Sequence, residues 1–364
     1  MASQNPDEHE EIEKDDGSVS YDHFHKTLQP FISISQTALP QDLLSQEIYL
    51  DIPAFPCWGV STTPLIAACV QGDLQTATFL LSSGVSPNTH TPKWYLDTVC
   101  RPTTPLQAAA LFGRAELITL LLTHGADINP PENEFGVTPN ALPFAAAEGN
   151  VELVELLLQN GADINGSSGR DGAALHAAAY YGHLHLVSFL LAKGADINCS
   201  AGDFGTPLKA ACSPRTDNTD IVRALLDAGA DVDAEGEPQG LYGAWGSPLV
   251  RAASVGMAEA VKVLLERGAD VNMMSESGRD GGALQIATGA GFLGVVKVLV
   301  EAGADVNARG GWYGSAVEEA AVHGYQDIFG YLIEKGASVN GMEGIALQKK
   351  LRTSRSRSAP ATMR

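Results

Sequence analysis

Gly125-Ala126-Asp127-Ile128-Asn129 returns as Gly161-Ala162-Asp163-Ile164-Asn165 and as Gly194-Ala195-Asp196-Ile197-Asn198. Near variants begin at Gly84, Gly229, Gly268, Gly303 and Gly336, so the intervals between leading glycines are 41, 36, 33, 35, 39, 35 and 33 residues. A period in the thirties reads as a stacked solenoid, in which each unit buries its apolar face only against its neighbours.

About twenty residues before these glycines lies a second recurring string: Thr63-Pro64-Leu65, Thr104-Pro105-Leu106, Ala174-Leu175-His176, Thr206-Pro207-Leu208, Ser247-Pro248-Leu249 and Ala283-Leu284-Gln285. Proline suits the first turn of a helix, where its missing N–H costs nothing, and the alanines that follow, such as Ala108-Ala109-Ala110, let a short helix approach its neighbours closely. That helix is expected to be the inner one. A second stretch, for example Val151-Glu152-Leu153-Val154-Glu155-Leu156-Leu157-Leu158, spaces its apolar residues for one helical face and runs into Gly161, which can take the left-handed cap. Each unit is therefore expected to be a helix hairpin followed by a turn.

Taken together, Thr-Pro-Leu-x-x-Ala-Ala, a glycine nine residues after the threonine, an Ile/Val-Leu-Leu helix and Gly-Ala-Asp-Val-Asn closely resemble the ankyrin repeat, over about residues 58–340. The resemblance implies an all-α ankyrin-repeat solenoid of about eight helix-hairpin units with a C-terminal half-repeat cap, and a non-enzymatic scaffold that binds proteins. Copies that replace Thr-Pro-Leu by a Gly-x-Ala-Val type string, as in Tyr313-Gly314-Ser315-Ala316-Val317, look like the variant of filamentous-fungal arrays. A fungal accessory or regulatory protein of a biosynthetic pathway is the alternative this suggests.

Some units depart from the pattern. The fifth carries Ser213-Pro214-Arg215-Thr216-Asp217-Asn218-Thr219-Asp220 where its helices meet, which predicts a protruding hairpin loop. In the third, Pro143 stands two positions late and should start the helix there or kink it. Residues 341–352, with Gly344-Ile345-Ala346-Leu347-Gln348-Lys349-Lys350-Leu351, read as a capping helix. Residues 38–57 read as an N-terminal capping helix and linker, the helix over 38–51; its Leu39-Pro40-Gln41-Asp42-Leu43-Leu44 also resembles the opening of an F-box, which would make the chain a ubiquitin-ligase substrate receptor. Residues 1–37, acidic and poor in apolar side chains, and 353–364, basic and serine-rich, are expected to be disordered tails.

Acids outnumber bases 11 to 2 in residues 1–56 and 31 to 15 in residues 57–340, whereas residues 341–364 carry 1 acid and 6 bases. A net charge of −20 opposes the phosphate neutralisation that nucleic-acid binding needs, and favours protein partners with a basic or polar patch. No apolar run approaches the roughly 18 residues of a membrane helix, and the start is acidic where a signal peptide would be basic. A monomer in the cytoplasm, the nucleus or both, with no membrane association, is expected.

Nothing in the sequence assembles catalytic chemistry. The five cysteines are scattered, and Cys69 and Cys212 fill slots where sibling units place alanine, so both read as small buried apolar residues. His124, His176 and His183 have addresses within the repeat, the pairs His23/His25 and His183/His185 lack completing ligands, and Asp127, Asp163, Asp196, Asp231, Asp270 and Asp305 recur as turn residues accepting local backbone bonds. Ser277-Gly278-Arg279-Asp280-Gly281-Gly282 is mirrored by Ser168-Gly169-Arg170-Asp171-Gly172, so duplication accounts for it better than phosphate binding does. No cofactor, metal or catalytic residue is expected.

A repeat array offers a partner the concave surface made of turn fingers and inner helices, where aromatics serve as anchors. Phe135 and Phe204 lie in fingers, and Phe204, Trp245 and Tyr313 share an address just before an inner helix, where they are expected to pack finger on finger. Trp94, Tyr95, Tyr242 and Trp312 break the phase and are the first candidate contacts, with Trp245 and Tyr313 completing the set. Fingers 88–103 and 233–246 are also long, as functional connections in compact arrays tend to be.

Overall fold

The computed structural model describes residues 50–51, 61–90, 104–131, 139–168, 172–212, 218–234, 246–274, 281–311 and 313–339. The chain divides into two units, Met1–Pro64 and Leu65–Arg364. In the first, β1 (Leu50–Asp51) pairs antiparallel with β2 (Ser61–Thr62). The helix expected over 38–51 therefore does not reach its last two residues, consistent with Pro53 just downstream, which lacks the N–H a continuing helix would need. The rest of that segment, both tails and the cap expected over 341–352 lie outside the described residues.

Among the described residues, sixteen helices form eight hairpins. The first helices are α1 (Pro64–Gln71), α3 (Pro105–Leu111), α5 (Leu142–Ala147), α7 (Ala174–Tyr181), α9 (Pro207–Ala211), α11 (Pro248–Ser254), α13 (Ala283–Gly289) and α15 (Ala316–His323). The second helices are α2 (Leu74–Ser82), α4 (Ala115–Thr123), α6 (Val151–Gln159), α8 (Leu184–Ala192), α10 (Thr219–Asp227), α12 (Ala258–Glu266), α14 (Leu293–Glu301) and α16 (Gln326–Glu334). From α3 to α15, first helices pack on first helices of adjoining hairpins, and the second helices form a parallel layer.

Local chemistry starts and stops these helices as the repeat pattern predicts. At α3, Thr104 Oγ1 accepts from the Gln107 N–H and Gln107 Oε1 accepts from the Thr104 N–H, a reciprocal capping box, with Pro105 in the first turn. Where the cap residue has no hydroxyl, half the box survives: the Ala173 N–H donates to His176 Nδ1, and the Gly282 N–H to Gln285 Oε1. Pro143 starts α5 at its second position, with Asn140 Oδ1 accepting from the Leu142 N–H. Each second helix ends at one of the eight recurrent glycines, which stand at φ from 85° to 96°. At the first complete copy the Gly125 N–H donates to Leu122 and the Ala126 N–H to Leu121, which satisfies carbonyls the helix leaves open.

The core lies between the two layers. Ala108, Ala109 and Ala110 of α3 and Ala178 and Ala179 of α7 are fully buried, so adjacent first helices meet almost backbone to backbone. The second helices bury one stripe each, with Leu121, Leu157, Leu190, Leu225, Leu264, Leu299 and Leu332 sealed at one shared address. Burying a leucine contributes about 1.5–3 kcal/mol, and here the contribution recurs once per unit.

Candidate partner-binding face

Each turn is tied to the next by a rung that the repeat pattern alone does not disclose. Asn129 Oδ1 accepts from the Asp163 N–H at 2.8 Å, and Asn129 Nδ2 donates to the Gly161 carbonyl at 2.7 Å. Asn88, Asn165, Asn198, Asn272 and Asn307 accept the corresponding N–H of the following turn at 2.7–2.9 Å. Within each turn the aspartate accepts locally, as from the Asn129 N–H to Asp127 and the Asn307 N–H to Asp305, so these carboxylates are occupied by turn formation. Among the described residues no group of three or more His, Cys, Asp or Glu side chains could hold a metal ion.

A second set of ties runs through the start of the first helices. His176, fully buried, accepts from Ala173 and donates from Nε2 to the Gly205 carbonyl of the next finger at 2.9 Å. Burial lowers its pKa to about 4, against smaller opposing effects from the Gly205 and Cys199 carbonyls and from Asp196, so the ring is neutral. Gln107 reaches the Asn140 carbonyl and Ser168 Oγ, and Gln285 the Ala308 carbonyl, from the same address. These ties hold the fingers at fixed spacing beside the first helices.

Of the six expected contact residues, only Tyr313 is described; Trp94, Tyr95, Tyr242, Trp245 and Trp312 lie outside the described residues. Tyr313 is 47% exposed, with its ring edge-on to His323 at 5.7 Å, and His323 stacks on Tyr325 at 5.8 Å. Phe204 lies against Tyr180 of α7 with ring centroids 4.4 Å apart, and Tyr180 meets Tyr181 edge-on at 5.0 Å; the finger on which Phe204 is expected to pack lies outside the described residues. At the shared address, the two described aromatics, Phe204 and Tyr313, each meet a ring of a first helix.

This places a half-buried cluster of Tyr180, Tyr181 and Phe204 on the first-helix face. Burial lowers the pKa of the Arg251 guanidinium on α11, against smaller opposing effects from the nearby Cys212 and Tyr180, and among the described residues no carboxylate pairs with it. On the same face Glu148, at the end of α5, has its pKa raised by burial, partly offset by His183. Reading the sequence for finger aromatics missed Tyr180 and Tyr181. The signal is that the two residues before the hairpin glycine differ from unit to unit, as in Leu111-Phe112, Ala147-Glu148, Tyr180-Tyr181 and Ser254-Val255, while the addresses around them repeat.

The arrangement offers rings, a cation and carboxylates to a surface laid against it. The buried thiols of Cys69 and Cys212 are pushed up to about 12 by desolvation, which keeps them protonated and inert. Among the described residues no helix is long and apolar enough to cross a membrane.

A family model described as ankyrin repeats (3 copies) matches residues 65–168, 142–236 and 243–342. The crystal structure of the human ASB11 ankyrin repeat domain is similar to 67% of this chain and 99% of that one, at 29% sequence identity and a TM-score of 0.49. The search of curated proteins finds no match.

Proposed function

Because this chain belongs to the ankyrin repeat family, we propose that it is a non-enzymatic scaffold that holds one or more proteins against its fingers and first-helix face. The observation that carries the reading is the half-buried Tyr180–Phe204 pair with Arg251 beside it. Aromatic residues seated in partly desolvated surroundings are where binding energy concentrates, and a guanidinium that no carboxylate pairs with among the described residues leaves donors for a partner's oxygen atoms. On the sequence pattern, Trp94, Tyr95, Tyr242, Trp245, Trp312 and Tyr313 are the further contacts proposed for the same partners. The acidic balance of residues 57–340 favours a partner with a basic or polar patch, chiefly through its rate of association. The scaffold acts as a monomer in the cytoplasm or nucleus.

Affinity purification with mass spectrometry tests this on the full chain. Tyr180→Ala with Phe204→Ala, and separately alanine at Trp94, Tyr95, Tyr242 and Trp312, should each deplete specific partners about tenfold while circular dichroism stays that of the parent. Retention of every partner by both variants refutes the assignment.

A further inference from the structure

The ladder of turns has one irregular rung. Six rungs use asparagine, and four of those also donate from Nδ2 to the next glycine carbonyl: Asn88 to Gly125, Asn129 to Gly161, Asn272 to Gly303 and Asn307 to Gly336. Between the fifth and sixth hairpins Asp233 takes the place of asparagine. Its two oxygens share the Asp270 N–H at 3.2 Å each, longer than the 2.7–2.9 Å of the other rungs, and an ionised carboxylate has no proton to give the Gly268 carbonyl. Burial raises the Asp233 pKa, against the lowering effect of the Asp270 N–H, and the like charges of Asp270 and Asp231 on either side raise it further.

Other ties weaken at the same place. The first helix of the fifth hairpin, α9, is five residues long, the shortest of the eight. At the start of α11 the Ser247 hydroxyl is fully buried without a hydrogen-bond partner, whereas Thr104, Thr206 and Ser315 cap their own helices. One contact across the same interface, the Arg267–Asp227 ion pair at 2.6 Å, is solvent-exposed and therefore worth little.

In a linear array, stability is close to a sum over units and nearest-neighbour interfaces, so the poorest interface decides where opening begins. We propose that the array opens first at the rung between Asp233 and Asp270, and so behaves as a five-hairpin stack and a three-hairpin stack joined at one weak seam. The proposal rests on the hydrogen bonding of the fold and is independent of which partner is bound.

Residue-resolved amide hydrogen exchange on the full chain reads it directly. The Asp270 amide should exchange about tenfold faster than the equivalent amides of Asp163, Asp196 and Asp231. Asp233→Asn should slow Asp270 about tenfold and leave Asp163 unchanged, while Asn198→Asp should transplant the fast exchange to Asp231. Equal exchange at all four rungs in the parent, or no response of Asp270 to Asp233→Asn, overturns the proposal.

Discussion

The imidazole of His183 lies across Gly149: a Cβ on that glycine would stand 2.5 Å from His183 Nδ1, while Nε2 donates to the Ala147 carbonyl at 2.8 Å. Gly149 also has φ of 70°. The hairpin joint of one unit is thus closed by the side chain that opens the next unit's second helix, and Phe292 over Gly256 and Tyr325 over Gly291 repeat the relationship with other rings.

Two glycines that look alike in the sequence should therefore respond differently to alanine. Gly161 has φ of 88° but nothing within 4 Å of a Cβ, so Gly161→Ala should cost only the left-handed backbone penalty, about 1–2 kcal/mol. Gly149→Ala adds displacement of the His183 ring and should cost about 3 kcal/mol. Urea unfolding of the two variants measures the difference, and equal costs would mean the ring moves aside freely.

His176 makes stability depend on pH. Its folded pKa of about 4 lies below the ordinary 6.5, so the unfolded chain binds the extra proton between those values. The contribution is intact above about pH 6.5 and is lost as pH falls towards 4, to a total on the order of 3 kcal/mol. His176→Gln, which copies the bonding of Gln107 and Gln285, should flatten that segment of the stability curve. Unchanged slopes in the two proteins would assign the acid sensitivity elsewhere.

Ser247→Ala should be neutral or stabilising by up to about 1 kcal/mol, because the buried hydroxyl it removes bonds to nothing. The same change at Thr104 breaks a capping box and should cost about 1 kcal/mol. Thermal melts of both variants decide it, and a loss at Ser247 as large as at Thr104 would show that the hydroxyl is engaged in solution.

Thiol labelling should divide the described cysteines. Cys199 is only half-buried, whereas Cys69 and Cys212 are sealed with pKa values near 12. Iodoacetamide on the folded protein should modify Cys199 at least tenfold faster than the other two, as read by peptide mass spectrometry. A Cys212 adduct forming as fast as the one at Cys199 would contradict its burial.

The hairpins were legible because their causes are local: a cap residue, a proline in the first turn, small residues on one helix and a left-handed glycine at the end of the other. The rungs were less so, since Asn129 and Asp163 are 34 residues apart and an asparagine in a turn already has a sufficient local explanation. The binding face was only partly legible. An aromatic in a finger is conspicuous in sequence, but whether its ring meets a finger or a helix, as Phe204 meets Tyr180, depends on packing between units.

The rungs also explain the uneven spacing of the glycines. Duplicating or deleting one whole unit leaves every donor facing an acceptor, but one extra residue inside Gly-Ala-Asp-Ile-Asn would misalign two neighbours at once. The 41- and 39-residue intervals accordingly carry their surplus in residues 88–103 and 233–246, between one Gly-Ala-Asp string and the next first helix, and not inside the strings themselves.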